Sequence, residues 1–98
     1  MTDEPASAGG GSRELRICNR KGLHARASAK FVQCVDRFDA EVAVSKDGQT
    51  VSGSSIMGLM MLAAGIGSSI TVTVSGTEAD AALAAIADLV GNRFGEDE

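Results

Sequence analysis

Residues 40–52, which read AEVAVSKDGQTVS, decide the fold of this chain. In the first six of them, Val42 and Val44 lie on one face, which is typical of a half-buried strand. The Asp47-Gly48 pair that follows predicts a tight turn, because both central residues of a primed hairpin turn need positive φ angles. The last three residues then predict a short returning strand. The stretch therefore predicts a β-hairpin and, with it, antiparallel strand pairing.

Two further alternating stretches predict the rest of the sheet. Residues 69–75 place Ile70, Val72 and Val74 on one face, and residues 15–19 alternate in the same way. Between the strands, apolar residues recur every three or four positions, as in helices with one buried face. The predicted helices cover residues 25–37, residues 56–63 and a last stretch from a capping-box-like start at residues 77–80 to Gly91 or Gly95.

The predicted element order is βαββαβα. Each helix has one apolar face and each strand alternates, so the helices must cover one side of a mainly antiparallel sheet. The predicted architecture is a two-layer α/β sandwich. Many binding modules share this class, so the architecture alone indicates no function.

The composition indicates one small domain and disfavours several classes of protein. The chain has 98 residues, of which 44% are hydrophobic and 3% aromatic, and a net charge of −4. An acidic chain with so few stacking side chains is poorly suited to bind nucleic acid. We predict a flexible tail at residues 1–12, the domain at residues 13–95 and an acidic solvated tail at residues 96–98. Residues 49–77 are uncharged, but glycines and serines interrupt them, so no membrane insertion is expected.

Basic residues cluster in one part of this acidic chain. Residues 15–35 contain five basic residues and no acidic one, whereas residues 47–98 contain seven acidic residues and one basic residue. A local positive patch suits an anionic ligand or an acidic partner surface. Chance clustering on a solvated face is the alternative.

The two cysteines, Cys18 and Cys34, lack the spacing of a metal site or a redox motif. We therefore predict buried structural thiols in a reducing cytosol, and neither a metal nor another cofactor. An independent hydrolase or redox enzyme is disfavoured, because no Cys–His–acid spacing or cofactor motif is present.

His24 is the only histidine, and it precedes a predicted helix where Ser, Thr, Asp or Asn would be the ordinary cap. The first N–H groups of a helix are unpaired and bind anions. A neutral imidazole there keeps one nitrogen free as a nucleophile. Arg26 can donate paired hydrogen bonds to phosphate oxygens. These residues indicate phosphoryl chemistry, and a solvated loop histidine is the alternative.

Two stretches of the sequence resemble the HPr phosphocarriers of the phosphotransferase system. Residues 22–26, GLHAR, are similar to the active-site sequence of that family, and residues 55–60, SIMGLM, resemble its regulatory-serine region. The separation of the two stretches and the βαββαβα order across residues 13–95 also fit. The resemblance implies an α+β open-faced sandwich with a four-stranded antiparallel sheet covered on one side by three helices.

The resemblance also implies a function and its residues. In the family, phosphoenolpyruvate supplies a phosphoryl group by way of enzyme I to Nδ1 of a histidine, here His24, and Arg26 corresponds to the partner arginine. The group then passes to an enzyme IIA-type protein, so the chain would be a stoichiometric carrier and not an enzyme. Many members have proline where this chain has Ala27, and this difference should loosen the first helical turn without removing the chemistry.

The second stretch predicts a regulatory serine and a docking surface. Ser55 corresponds to the serine that HPr kinase/phosphorylase modifies in many members, although Ser54 replaces the lysine that often precedes it. Serving only as the helix N-cap is the alternative role of Ser55. The following helix has more apolar residues than one face can bury, so we expect Met57 and Met60 to form an exposed partner-binding patch.

Two roles remain open for such a carrier. One is sugar transport, and the other is the regulatory role of nitrogen-type paralogues, which carry phosphate mainly to control other proteins. The sequence does not separate them. A cytosolic monomer is the expected state.

Overall fold

The computed structural model describes residues 10–98 of the chain. It contains four strands and three α-helices in the order βαββαβα, followed by one short 3-10 turn at Arg93–Gly95. The elements are β1 (Gly10–Arg16), α1 (Ala25–Val35), β2 (Glu41–Lys46), β3 (Gln49–Ser52), α2 (Ile56–Met61), β4 (Ser69–Ser75) and α3 (Ala79–Gly91).

The four strands form one antiparallel sheet in the order β1-β4-β2-β3. The hairpin between β2 and β3 is the predicted one, and its turn residues Asp47 and Gly48 have φ angles of 51° and 84°. Two successive positive φ angles are what a primed turn requires, so this prediction is confirmed. Strand β4 lies in the middle of the sheet and pairs with both β1 and β2.

The helices pack on one face of the sheet and enclose an aliphatic core. Val44, Val72 and Ile70 point from the strands into this core, and Phe31 of α1 and Ile86 of α3 meet them from the helical layer. Each of these side chains is at most 1% exposed. Burying one such side chain contributes roughly 1.5–3 kcal/mol to stability. The alternation that predicted the strands is thus the alternation between the core face and the open face of the sheet.

Strand β1 lies closer to the N-terminus than the sequence predicts. It begins at Gly10 and ends at Arg16, because it pairs with β4 along all of β4, from Gly10 opposite Ser75 to Arg16 opposite Ser69. Residues 10–12, which the sequence places in a flexible tail, therefore belong to the sheet. The rest of that predicted tail, residues 1–9, lies outside the described residues.

The start of α3 also differs from its predicted capping box. Glu78 precedes the helix, and no side chain caps it. Instead, Oε1 of Glu78 accepts a hydrogen bond of 2.7 Å from the backbone N–H of Asp39. The carboxylate thus ties the helix start to the loop before β2 rather than to its own backbone.

The chain turns back after α3 by an unusual backbone path. Arg93, Phe94 and Gly95 have φ angles of 57°, 55° and 78°, so three successive residues are left-handed. Such a conformation disfavours a non-glycine residue by roughly 1–2 kcal/mol. The Phe94 side chain is 1% exposed, and its burial in the core offsets this strain. The turn carries residues 96–98 back across the start of α1.

Candidate functional site

His24 occupies the N-cap position of α1. Its backbone is extended, with φ −74° and ψ −179°, and its carbonyl oxygen accepts the first helical hydrogen bond, from Ser28 N–H at 2.9 Å. The imidazole makes no capping hydrogen bond to the helix. The side chain therefore leaves the helix start open and extends into the adjacent space.

The loop before His24 is held by a close contact with the loop that follows α2. Gly22 has a φ angle of 64°, and a Cβ atom at this position would collide with the carbonyl oxygen of Ala64. The next residue, Leu23, donates its N–H to the same carbonyl at 2.9 Å. Only glycine fits this contact, and the contact anchors the chain just before the histidine.

The first backbone N–H groups of α1 are available to a ligand. Those of Ala25, Arg26 and Ala27 find no acceptor among residues 10–98. Unpaired N–H groups at a helix start carry partial positive charge and bind anions. No acidic residue lies in the first turn to satisfy them. The helix start thus offers donors for an anion beside the imidazole.

Side chains of both signs line a cavity of about 400 Å³ at this helix start. Its positive lining, which we call the basic rim, consists of Arg20, Lys21, Arg26 and Lys30. His24 and the C-terminal segment, defined as residues 95–98, complete the lining. Four of the five basic residues in the predicted cluster therefore lie around the histidine, and Arg16 is the exception.

Glu96 of the C-terminal segment contacts His24 directly. Its Oε2 atom lies 2.6 Å from Nε2 of the imidazole, and the two side chains are 15% and 26% exposed. Burial acts to raise the pKa of the Glu96 carboxyl. Hydrogen bonds from Asn19 and His24, and the charges of His24 and Lys30, outweigh burial, so the net pKa is lowered.

Asn19 holds that carboxylate from the other side. The fully buried Asn19 donates from Nδ2 to Oε1 of Glu96 at 3.0 Å and to the carbonyl oxygen of Gly22 at 2.9 Å. Its Oδ1 atom has no partner among the described residues. The amide thereby joins the loop before His24 to the end of the chain.

The structure brings two of the predicted site residues together. Arg26 is exposed and lines the cavity with His24. Ser55 lies elsewhere, at the N-cap of α2, where its Oγ accepts a 2.9 Å hydrogen bond from Gly58 N–H. Met57 and Met60 on α2 are 68% and 39% exposed.

The exposed apolar face of α2 leads toward the histidine. We define the α2 patch as Ile56, Met57, Met60 and Met61, all at least 39% exposed. The end of this helix is followed by Ala63, Ala64 and Gly65, which share a shallow groove with His24. The predicted exposure of Met57 and Met60 is confirmed, and their role as a docking surface remains a prediction.

Sequence reasoning missed Glu96 and Asn19. It assigned Glu96 to a solvated tail and Asn19 to a strand. The available signal was charge complementarity, since the acidic chain end could neutralise the only basic cluster. The prediction of two buried thiols was also half wrong, because Cys34 is buried but Cys18 is exposed. Burial raises the pKa of the Cys34 thiol, against the opposing charge of Arg37.

Two negative findings apply to residues 10–98. Within this range no three His, Cys, Asp or Glu side chains come together in a way that could hold a metal ion. None of the helices in the same range is long and apolar enough to cross a membrane.

The sequence of residues 11–92 matches the protein family described as "PTS HPr component phosphorylation site". The chain belongs to the HPr family. The phosphocarrier protein HPr of Cupriavidus necator is 49% identical over 86 residues, which make up 88% of this chain and 97% of that protein. The phosphocarrier protein NPr of Shewanella violacea is 44% identical over 84 residues, or 86% of this chain and 92% of that protein.

The HPr fold is also seen in solved structures. The crystal structure of HPr-C-His from Thermoanaerobacter tengcongensis matches with a TM-score of 0.86 and 35% identity, covering 90% of this chain and 99% of that one. The predicted fold class, an open four-stranded antiparallel sheet with three helices, is confirmed. As a member of the HPr family, this protein is a phosphocarrier of the phosphotransferase system, and it carries a phosphoryl group rather than catalysing a reaction.

Proposed function

We propose that His24 is the residue that carries the phosphoryl group. The observation that supports this most directly is the position of the imidazole, at the open N-terminus of α1 and on the wall of the cavity with the basic rim. No other histidine is present in the chain. In this proposal the group comes from phosphoenolpyruvate by way of enzyme I and leaves to an enzyme IIA-type partner.

The arrangement supports transfer to the Nδ1 atom of His24. Nε2 is engaged with Glu96, whereas Nδ1 has no hydrogen-bond partner among residues 10–98. The Nδ1 lone pair attacks phosphorus, and a nitrogen–phosphorus bond forms. The bond from phosphorus to the donor breaks, and its electron pair stays with the donor. The imidazole becomes a phosphorylated cation that keeps its Nε2 proton. No oxidant, reductant or metal ligand from this chain is needed for the balance.

The charge of the incoming group is matched by groups already in place. The free N–H groups at the start of α1 and the guanidinium of Arg26 can donate to phosphoryl oxygens. These donors need little reorganisation when the group arrives, because the helix fixes their directions. Arg26 is therefore the proposed stabilising residue for the phosphorylated state.

The α2 patch is the proposed docking surface for enzyme I and the enzyme IIA-type protein. Met57 and Met60 are its central residues, because methionine side chains adapt to differently shaped partners. An exposed apolar cluster of this kind beside a reactive group is typical of a protein interaction site. One surface can then serve both donor and acceptor in turn.

Ser55 is the proposed regulatory site, with HPr kinase/phosphorylase as the modifying partner. Its hydroxyl already lies at a helix start, where added negative charge is tolerated. Because Ser55 precedes the α2 patch, a phosphate there would alter docking more than folding.

A regulatory role is also the second candidate function of the protein. The 44% identity to the Shewanella violacea NPr supports a nitrogen-type regulatory role, alongside the sugar-transport role. In both roles we propose a cytosolic monomer. The free thiols of Cys18 and Cys34 suit a reducing compartment, and one chain supplies the complete cavity.

The carrier role is tested by phosphoryl transfer to the intact protein. Wild type and His24→Ala are incubated with phosphoenolpyruvate, magnesium and enzyme I, and their masses are measured. We expect wild type to gain one acid-labile phosphoryl group and His24→Ala to gain none. Equal labelling of the two proteins, or no labelling of wild type by its native enzyme I, would contradict the proposal.

A further inference from the structure

The contact between Glu96 and His24 indicates which imidazole nitrogen bears hydrogen. The carboxyl is held in its ionised form by the surrounding donors and charges, as its lowered pKa indicates. An ionised carboxylate only accepts hydrogen bonds. At 2.6 Å from Oε2, Nε2 must therefore be the nitrogen that bears hydrogen. In the neutral imidazole this places the lone pair on Nδ1.

The carboxylate is held in this position from several directions. Asn19, with no exposed surface, donates to Oε1, so Oε2 is left for the histidine. The buried Phe94 side chain anchors the preceding turn, and Lys30 donates from Nζ to the Phe94 carbonyl oxygen at 2.6 Å. Arg20 further along pairs with Glu98 through both backbone and side chain. The C-terminal segment is thus a fixed part of the site.

We propose that Glu96 is a positioning residue for phosphoryl transfer, which holds His24 with hydrogen on Nε2 so that Nδ1 faces the incoming phosphorus. This inference rests on the proposed function of His24. A carboxylate behind an imidazole fixes both the tautomer and the ring orientation. As Nδ1 forms its bond to phosphorus and the donor departs with the electron pair, the ring gains positive charge. The Nε2 proton stays in place, and the Glu96 carboxylate stabilises that charge.

A blocking role for Glu96 predicts the opposite effect on rate. A carboxylate near a nucleophile repels an incoming phosphoryl group, so its removal would accelerate transfer. The geometry favours positioning over blocking, because Glu96 contacts Nε2 and not the nitrogen that reacts. The sign of the rate change therefore separates the two roles.

Glu96→Gln is the informative substitution because an amide has only one oxygen. Asn19 and the Nε2–H group of His24 donate to different carboxylate oxygens, and glutamine replaces one of those oxygens with an NH₂ donor. If its oxygen stays with Asn19, its NH₂ group faces Nε2 and favours the tautomer with hydrogen on Nδ1. Glu41→Gln makes the same change at an exposed glutamate on β2, away from the cavity, and is the matched control.

The first measurement is the tautomer, and it requires no partner protein. The chain has one histidine, so a long-range ¹H–¹⁵N correlation spectrum contains a single imidazole. We expect hydrogen on Nε2 in wild type and Glu41→Gln, and an increased Nδ1–H population in Glu96→Gln. Backbone amide spectra of all three proteins check that the fold is kept.

The second measurement is the rate of phosphoryl gain from phosphoenolpyruvate and enzyme I. Loss of a carboxylate that orients a metal-bound histidine typically lowers activity by about 10-fold to 100-fold, and we expect a loss of that order for Glu96→Gln but not for Glu41→Gln. A faster Glu96→Gln, an unchanged rate, a slower rate without a tautomer change, or hydrogen on Nδ1 in wild type would each overturn the inference. If wild-type His24 accepts no phosphoryl group, the proposed function itself fails, and the spectra still report separately on the contact.

Discussion

Arg26 has no hydrogen bond or ion pair in residues 10–98, although three acidic residues line the same cavity. A guanidinium without a structural partner is available to bind a phosphoryl group. One hydrogen bond to a charged group contributes about 1.5–3 kcal/mol, so Arg26→Ala should slow phosphoryl acceptance roughly 10-fold to 100-fold. The rate of mass gain with enzyme I measures this. Arg13→Ala, which removes an exposed arginine on β1, should stay near wild type, and equal slowing of both variants would contradict the assignment.

At the residue scale, the sequence predicted His24 and Arg26 but not Glu96, which contacts His24. His24 and Arg26 lie in one short stretch whose residue types suggest phosphate chemistry. Glu96 is 72 residues away from His24, and no local pattern links the two. Their contact depends on the left-handed turn at residues 93–95. Two residues of this turn, Arg93 and Phe94, have positive φ angles, which residues other than glycine rarely adopt. Long-range contacts made through strained turns are therefore the part of such a site that sequence reasoning misses.

At the scale of single elements, local chemistry predicted most of the fold. Asp47-Gly48 predicted the hairpin, and Ser55 predicted the start of α2, where it does cap the helix. Strand β1 was misplaced because its extent depends on its partner β4 and not on its own alternation. The helix α3 start was predicted correctly, but its expected capping box was absent, and the Glu78 side chain bonds to the loop before β2.

The cap at α2 gives a prediction at this scale. Ser55→Ala removes the acceptor for Gly58 N–H and should lower the free energy of unfolding by about 1 kcal/mol. Ser55→Asp keeps an acceptor and places negative charge at a helix start, so it should retain most of the stability. Urea unfolding followed by circular dichroism measures both. Ser54→Ala, next to the cap, is the control, and a loss as large as that of Ser55→Ala would show that the cap is not the cause.

At the scale of the whole molecule, the fold brings oppositely charged parts of the chain together. The basic cluster near the start of the chain and the acidic end meet at the site, although the overall charge is −4. The exposed pair of Arg20 and Glu98 contributes little in water. The half-buried contacts of Glu96 differ, because they join the loop before α1 to the chain end through His24 and Asn19. Global unfolding must break the contacts of Glu96 with His24 and Asn19. These contacts therefore contribute to the free energy of unfolding of the whole domain.

The contacts of Glu96 predict how the free energy of unfolding depends on pH. The Glu96 pKa is lowered from an ordinary value near 4.5, because donors and charge from Asn19, His24 and Lys30 outweigh burial. The carboxylate therefore stabilises the folded state fully above its ordinary pKa, and this contribution disappears as pH falls through the lowered value. We expect wild type to be more stable than Glu96→Gln at pH 5, with the difference narrowing as pH falls below the ordinary pKa. Urea unfolding of both proteins across this range measures the difference, and other carboxylates largely cancel from it. Glu41→Gln, away from the cavity, should show no such narrowing, and a Glu96→Gln difference that persists undiminished at pH 3 would show that the ionised carboxylate is not the stabilising group.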